Sequence, residues 1–280
     1  MKVKHEEYLK KCGTYRAAAE LAFLRSFYSS QERYDALMSS IYFDLETSRE
    51  ILEPLCPDEA RHYTEWVHSH RNRILEIVRV LNVQSNERVI DIGCNIGTFV
   101  YHCSLKGTPP VGIDINVNSL KIAQRLLRNK GKNGYFLCGD ATLLPFQRER
   151  FHKAVAADFY EHVDEREKKR ITEEVYRVLK NKGIFVIHTD NLYRHKLILY
   201  IRRIVALIRL ENPRNFSIPF HDTHIGVTGA RKIVNILQQT GFKISKIVYL
   251  RGRFSIDKFL IHVPLVKNIL ASSYIIVGEK

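Results

Sequence analysis

The spacing of hydrophobic residues divides the chain into two parts. Residues 5–82 carry apolar positions at helical intervals and few glycines, which predicts helices, including one from about Asp58 to Leu81. Beyond them, short apolar runs that end in Gly or Asp alternate with helical segments. We therefore predict an N-terminal helical extension or cap over residues 1–84, followed by an α/β domain over residues 85–280.

Apolar runs in the second part predict the strands of one sheet. They lie at residues 88–92, 111–114, 135–138, 154–157, 183–188, 242–250 and 273–278. Strands that alternate with helices favour a parallel sheet covered on both faces, and right-handed crossovers then give a doubly wound fold. Ligands of such folds bind at the carboxyl ends of the strands, which is where the polar residues of interest lie in this chain.

The turn after the first strand has the residues of a cofactor-binding loop. It reads Asp91-Ile92-Gly93-Cys94-Asn95-Ile96-Gly97. Gly93 and Gly97 leave room for a ligand beside the backbone, and Asn95 is one of the few non-glycine residues that readily adopts positive φ. Asp91 would repel a pyrophosphate, so a cationic amino-acid group fits this turn better than a dinucleotide does.

Three further strand ends carry a carboxylate on the same side of the predicted sheet. Asp114 ends the second strand, where an acid typically accepts hydrogen bonds from both ribose hydroxyls of a ligand. Asp140 follows the third strand and can accept from an adenine amino group. Asp158 follows the fourth strand, where the strand order reverses. Each acid alone could be a helix cap or turn residue, but four successive strand ends of the same chemistry favour a cofactor site.

These segments resemble the class I S-adenosylmethionine-dependent methyltransferases, and within them the branch of ubiquinone and menaquinone biosynthesis methyltransferases. The matching stretches include residues 89–97, 112–114, 139–141, 161–163 and 177–183. The resemblance implies S-adenosylmethionine as cofactor and a Rossmann-like, seven-stranded, mostly parallel sheet in the order 3-2-1-4-5-7-6, with the seventh strand antiparallel. Two positions depart from the family pattern: Asn95 replaces the usual middle glycine, and Asp190 replaces a proline.

By this resemblance the methionine portion of the cofactor would lie against the turn after the first strand. The ribose would contact Asp114, and the adenine would contact Asp140 and Ala141. The full set of predicted cofactor-binding residues is Asp91, Gly93, Cys94, Asn95, Gly97, Asp114, Ile115, Asp140, Ala141 and Asp158. No metal site is predicted.

Histidines near the strand ends are the candidate catalytic bases. His162 follows the fourth strand and His224 precedes the last helix, and histidine titrates near neutral pH. Tyr160, His221 and His224 are predicted to contact the acceptor. Each histidine can equally be a structural loop residue, so both interpretations stay open.

The positive charge of the chain is concentrated in its last third. The net charge is +14, and residues 191–280 carry 15 Lys and Arg against 4 Asp and Glu, a net of +11. Such a field favours an anionic partner, although a solvated basic surface has the same composition. A substrate-cover insertion is predicted at about 192–227, and its helix is apolar apart from a basic stripe, as in membrane-surface helices or an ordinary cap helix. The stripe comprises Lys196, Arg202, Arg203 and Arg209.

The leading functional hypothesis is O-methylation of a small or lipophilic, lipid-linked acceptor. An RNA methyltransferase is the alternative, favoured by the charge but lacking an aromatic-rich platform or an Asn-Pro-Pro-Tyr-type signature. A non-catalytic scaffold of the same fold is the third hypothesis. Scattered cysteines and the absence of a secretory signal predict a cytoplasmic protein. Peripheral contact with the inner membrane face, through the basic C-terminal third, is a further expectation.

Overall fold

The computed structural model describes residues 30–45, 60–213, 226–250 and 269–280. The described helices are α1 (Gln31–Met38), continued by a π-helical segment (Ser39–Phe43), α2 (Ala60–Leu81), α3 (Thr98–Ser104), α4 (Val117–Asn129), a short 3-10 helix (Tyr160–His162), α5 (Glu165–Val178), α6 (Leu192–Ile208) and α7 (Ala230–Thr240). The strands are β1 (Val89–Ile92), β2 (Val111–Asp114), β3 (Tyr135–Cys138), β4 (Phe151–Ala157), β5 (Leu179–Asp190), β6 (Lys243–Leu250) and β7 (Ser273–Glu279).

The seven described strands form one sheet in the order β3-β2-β1-β4-β5-β7-β6. Strands β1 to β5 pair in parallel, whereas β7 runs antiparallel to both β5 and β6. This is the strand order and sense that the family resemblance implied. The predicted doubly wound, mostly parallel fold is therefore confirmed.

Two strands are longer than their apolar runs predicted. β4 begins at Phe151, which pairs with Leu179 at the start of β5. The extra length of β5 includes the polar run 180–182, where Lys182 has a φ of 62°. Polar residues and a left-handed backbone interrupt the alternation that identifies a strand, so the sequence pattern recognised only its apolar second half.

Helices cover both faces of the sheet. Successive strand residues point to opposite faces, so Ala154 packs towards α5 and α7 while Val155 packs towards α2. On the α2 side, Ile74, Ile77 and Leu81 are buried against the sheet. Helix α2 thus shares a hydrophobic core with the strands. The domain boundary between residues 84 and 85 stays a prediction.

The segment before α2 is also attached to the sheet region. Asp35 of α1 accepts two hydrogen bonds from Arg125 of α4, at 2.6 Å from Nε and 2.7 Å from Nη2. A bidentate ion pair of this kind fixes the relative orientation of the two side chains and also brings opposite charges together. Within the described ranges, no helix is both long and apolar enough to cross a membrane.

Replacing Ile77 with alanine tests whether α2 is part of the core. Ile77 is fully buried, so Ile77→Ala should lower the free energy of unfolding by about 2–5 kcal/mol. Leu75 lies on the same helix but is 43% exposed, so Leu75→Ala is the matched control and should cost about 1 kcal/mol or less. Chemical denaturation measures both, and equal losses would show that α2 does not pack as described.

Candidate functional site

The turn between β1 and α3 is held close to the end of β2. The backbone amides of Gly93 and Cys94 both donate to the carbonyl of Ile113, at 2.9 and 3.0 Å. Gly93 and Asn95 have φ of 69° and 46°. Asn95 therefore adopts the left-handed conformation that its place in the turn suggested, and it can stand where the family pattern has a glycine.

Both glycines of this turn are sterically required. A Cβ added to Gly93 would overlap the ring of Phe159, the residue that follows Asp158. A Cβ on Gly97, whose φ is 82°, would lie 3.1 Å from Ala123 and Phe136. The first contact shows that the turn after β1 and the turn after β4 lie side by side. Two of the predicted cofactor segments therefore meet.

Asp114 at the end of β2 joins the turn after β1. Its Oδ2 accepts from the backbone amide of Asn95 and its Oδ1 from that of Asn116, each at 2.8 Å. Each carboxylate oxygen still has a lone pair for a further donor. This arrangement fixes the orientation of the Asp114 carboxylate while leaving it able to bind hydroxyl groups.

The end of β3 lies beside Asp114. Cys138 pairs with Asp114 across the sheet, and the Gly139 amide donates to the Asp114 carbonyl at 3.1 Å. The Asp140 carboxylate, two residues further, is exposed and accepts from the amide of Thr142 at 2.8 Å. Ala141 is buried, whereas Ile115 after β2 is 76% exposed. The strand ends therefore place exposed carboxylate and apolar groups next to each other.

Asp91 is a buried acid at the end of β1. It is 2% exposed, and its Oδ2 has no hydrogen-bond partner among the described residues. Burial, and next the nearby charge of Asp114, raise the pKa of Asp91 to about 8. Burial, and next the charges of Asp91 and Asp114, also raise the pKa of the Cys94 thiol. Asp91 and Asp114 are thus close enough to interact. Their two acidic groups make the strand-end cleft, the region at the ends of β1 to β3, suitable for a cation.

A second polar group lies at the ends of β4 and β5. Asp158 contacts Arg73 of α2, with Nη2 2.8 Å from Oδ2, and His188 of β5, with Nδ1 2.8 Å from Oδ1. His188 is fully buried and shares a hydrogen bond of 2.9 Å with Ser273 of β7. Burial alone would raise the pKa of Asp158, but Arg73 and then His188 outweigh it and hold that pKa below its ordinary value.

Glu161 is a further acid beside this group. It is 2% exposed, and its Oε2 accepts from the hydroxyl of Thr189 at 2.7 Å. Burial, and next Asp158 and Asp190, raise the pKa of Glu161 to about 8. The region around the ends of β4 and β5 therefore combines an ionised carboxylate, Asp158, with a carboxyl group that is mostly protonated at neutral pH.

The structure brings together most of the predicted cofactor residues but not all predicted acceptor residues. Tyr160 is fully buried, with its hydroxyl 2.9 Å from that of Thr172, and this placement does not favour contact with an acceptor. His162 is exposed at the end of a short helical turn. His221 and His224 lie outside the described residues. The catalytic and acceptor assignments stay predictions.

Sequence reasoning did not identify Arg73 or His188. His188 ends an apolar run, and a histidine within a buried strand is a signal that could have identified it. Arg73 has no local signal, because its partner Asp158 lies in a different element and 85 positions further along the chain.

The fold and the strand-end cleft define the class I methyltransferase architecture. The cleft fits S-adenosylmethionine on two observations: a buried carboxyl oxygen on Asp91 without a partner among the described residues, and a fixed carboxylate on Asp114. The buried Asp91 oxygen suits the positive charges of the methionine portion, and the Asp114 carboxylate suits ribose hydroxyls.

Comparison with known proteins agrees with this architecture. Residues 89–183 match the sequence model described as a methyltransferase domain. A demethylmenaquinone methyltransferase from Thermotoga maritima is 29% identical over 168 residues, which are 59% of this chain and 59% of that protein. An uncharacterised protein from Methanocaldococcus jannaschii is 31% identical over 134 residues, 46% of this chain and 49% of that protein.

Solved structures share the fold. An S-adenosylmethionine-dependent methyltransferase from Methanosarcina mazei has a TM-score of 0.53 at 22% identity, covering 73% of this chain and 96% of that one. One from Archaeoglobus fulgidus has a TM-score of 0.55 at 18% identity, covering 75% and 93%. The chain spans about half to three-fifths of the length of the curated relatives it matches.

Residues 89–183 thus match a methyltransferase domain, and the predicted resemblance to class I S-adenosylmethionine-dependent methyltransferases is confirmed. S-adenosylmethionine is the cofactor that this domain and fold imply.

The raised pKa of Asp91 predicts that cofactor binding depends on pH. Below pH 8 the Asp91 carboxyl is mostly protonated in the free protein, and a cation beside it would favour ionisation. Binding of S-adenosylmethionine at neutral pH should therefore release a proton, and its affinity should rise with pH and level off above about 8.

Isothermal titration calorimetry in buffers of different ionisation enthalpy measures this proton release. In the Asp91→Asn variant the release should disappear and the pH dependence should become flatter. A wild-type affinity that is constant across this pH range would contradict the assignment of Asp91.

Proposed function

We propose that this protein is an S-adenosylmethionine-dependent methyltransferase that methylates a hydroxyl group of a small or lipophilic acceptor. The observation that carries the proposal is the convergence of Asp91 and Asp114 on one cleft beside a glycine turn. A buried carboxyl oxygen without a partner is costly in the free protein, and a cationic ligand would compensate that cost.

Each part of the cofactor has a matching group in this chain. The Asp91 carboxyl would lie near the positive charges of the methionine portion, and the Asp114 oxygens would accept from the ribose hydroxyls. Near Asp140, the exposed side chains of Ile115 and Leu143 offer apolar surface for the adenine ring. When bound, the cofactor supplies a methyl group on a sulfonium that is open to attack by a nucleophile.

Asp158, which the sequence analysis placed among the cofactor-binding residues, is assigned here to the acceptor side of the reaction, in the role first given to His162 and His224. Its carboxylate is ionised, is about one-third exposed, and is held in place by Arg73 and His188. A hydroxyl becomes strongly acidic as its oxygen is methylated, so even a weak base can take the proton. Asp158 would accept the hydrogen bond from the attacking hydroxyl and then its proton, while Arg73 and His188 act as positioning residues.

The lipophilic character of the acceptor rests on two supports. One relative is named as a demethylmenaquinone methyltransferase, which favours an acceptor of that class. Helix α6, which follows β5 beyond Asn191, carries several exposed apolar side chains. RNA remains the competing acceptor because of the net charge of +14, and it is included in the test.

Cofactor binding is tested by a thermal-shift titration with S-adenosylmethionine. The wild-type protein should be stabilised, and Asp114→Ala should lose most of that stabilisation because the ribose loses its hydrogen-bond acceptors. Glu173 is exposed on α5 and belongs to none of the strand ends, so Glu173→Ala is the matched control and should shift like the wild type. A wild-type shift in Asp114→Ala would contradict the ribose assignment.

Methyl transfer is tested with radiolabelled S-adenosylmethionine and separate lipid, phenolic, sugar and RNA pools. Label should appear in the lipid or phenolic pool, in a product that has the chemical stability of an ether or ester. Asp158→Asn should keep cofactor binding but reduce transfer by about 100-fold or more, a loss typical of removing a proton acceptor. Label in RNA alone would overturn the acceptor proposal, and no label in any pool would favour a scaffold.

A further inference from the structure

Helix α6 is attached to the domain by its first turn. Asn191 accepts from the backbone amide of Tyr193 at 3.1 Å and donates to the carbonyl of Ala271 at 2.9 Å. Arg194 is buried and donates to the carbonyl of Leu270 at 2.6 Å. These contacts fix the start of the helix on the segment that leads into β7, and therefore fix which face the later turns present outward.

The outward face of α6 is apolar over several turns. Six large side chains on it are strongly exposed: Tyr193, Tyr200, Ile201, Ile204, Leu207 and Ile208. At 100° per residue they fall within about one-third of the helix circumference, so they form one continuous stripe. Ile204 and Ile208 are 57% and 76% exposed, whereas Ala206 on the inward side is 1% exposed. A continuous apolar stripe on a surface is typical of an interaction site.

Within α6 itself, the Lys and Arg side chains have no acidic counterpart. The helix contains no Asp or Glu between Leu192 and Ile208. Lys196 and Arg203, seven residues apart and both exposed, follow one edge of the stripe. Arg202 is exposed about 100° further round the helix, so the predicted single basic stripe is wrong: Lys196 and Arg203 share an edge that Arg202 does not. Residues 191–280 as a whole carry a net charge of +11. These charges favour a partner that offers an apolar layer next to negative charge.

We propose that α6 is a membrane-surface helix that lies in the interface of a bilayer containing anionic phospholipid. The apolar stripe would enter the boundary between headgroups and acyl chains, while Lys196 and Arg203 remain at the level of the phosphates. At 17 residues the helix is about 25 Å long, enough for an in-plane contact of several turns. The proposal concerns binding alone and does not depend on the reaction catalysed.

The test is co-sedimentation of the full chain with phosphatidylcholine vesicles, with and without phosphatidylglycerol. Wild-type protein should bind the anionic vesicles, bind the neutral ones far less, and be partly released by salt, because the electrostatic contribution is screened. Absence of binding to the anionic vesicles would overturn the proposal.

Paired variants separate this helix from general surface charge and hydrophobicity. Lys196→Glu with Arg203→Glu should weaken binding to anionic vesicles about tenfold or more. Lys121 and Arg128 of α4 are also exposed and seven residues apart, so Lys121→Glu with Arg128→Glu is the matched control. Equal losses in both pairs would mean that the net charge and not α6 causes binding.

The apolar stripe is tested in the same way. Ile204→Ser with Ile208→Ser should weaken vesicle binding about tenfold or more and should leave the circular dichroism melting curve unchanged, because both side chains are exposed. Leu75→Ser with Leu105→Ser, two exposed leucines elsewhere, is the control and should bind like wild type.

Two further outcomes of these experiments would overturn the proposal. One is wild-type vesicle binding by the Ile204 and Ile208 variant. The other is a wild-type dimer that this variant dissociates in size-exclusion chromatography without any vesicle binding, which would assign the stripe to a second copy of the chain.

Discussion

The candidate cofactor site depends on the carboxyl group of Asp91, which is buried near the end of the central parallel strand β1. Adjacent strands lie about 4.8 Å apart, so the ends of β1 and β2 bring Asp91 and Asp114 within electrostatic reach of each other. Burial and this second charge raise the pKa of Asp91 to about 8. The glycine turn beside Asp91 is set by packing within the protein, because a Cβ on Gly93 would overlap Phe159 and one on Gly97 would lie 3.1 Å from Ala123 and Phe136.

A second set of contacts connects the N-terminal helices with the same edge of the sheet. Ser273, His188, Asp158 and Arg73 form a continuous series from β7 through β5 and β4 to α2. Helix α2 therefore contributes buried apolar side chains to the core and the positive charge of Arg73 to the polar group at the ends of β4 and β5. The charge matters because it keeps Asp158 ionised in surroundings that would otherwise favour its neutral form.

Much of the fold could be predicted from the sequence because its signals are local. The bounds of β2, β3 and α7 agree with their apolar patterns, and the positive φ of Asn95 follows from its place in a tight turn. The start of β5 was missed because polar residues occupy its first half. The contact of Arg73 with Asp158 joins distant segments and leaves no local pattern. His162 was selected for its position after a strand; it is exposed at the end of a helical turn, and its role as a base stays a prediction.

The central claim is that the carboxylates at neighbouring strand ends serve one adenosyl ligand. The most direct measurement is a crystal structure of the protein with S-adenosylmethionine or its demethylated product. The account predicts a single ligand at the ends of β1 to β3, with ribose hydroxyls on Asp114 and the amino-acid portion beside Asp91. A ligand bound elsewhere, or one whose ribose makes no contact with Asp114, would contradict it.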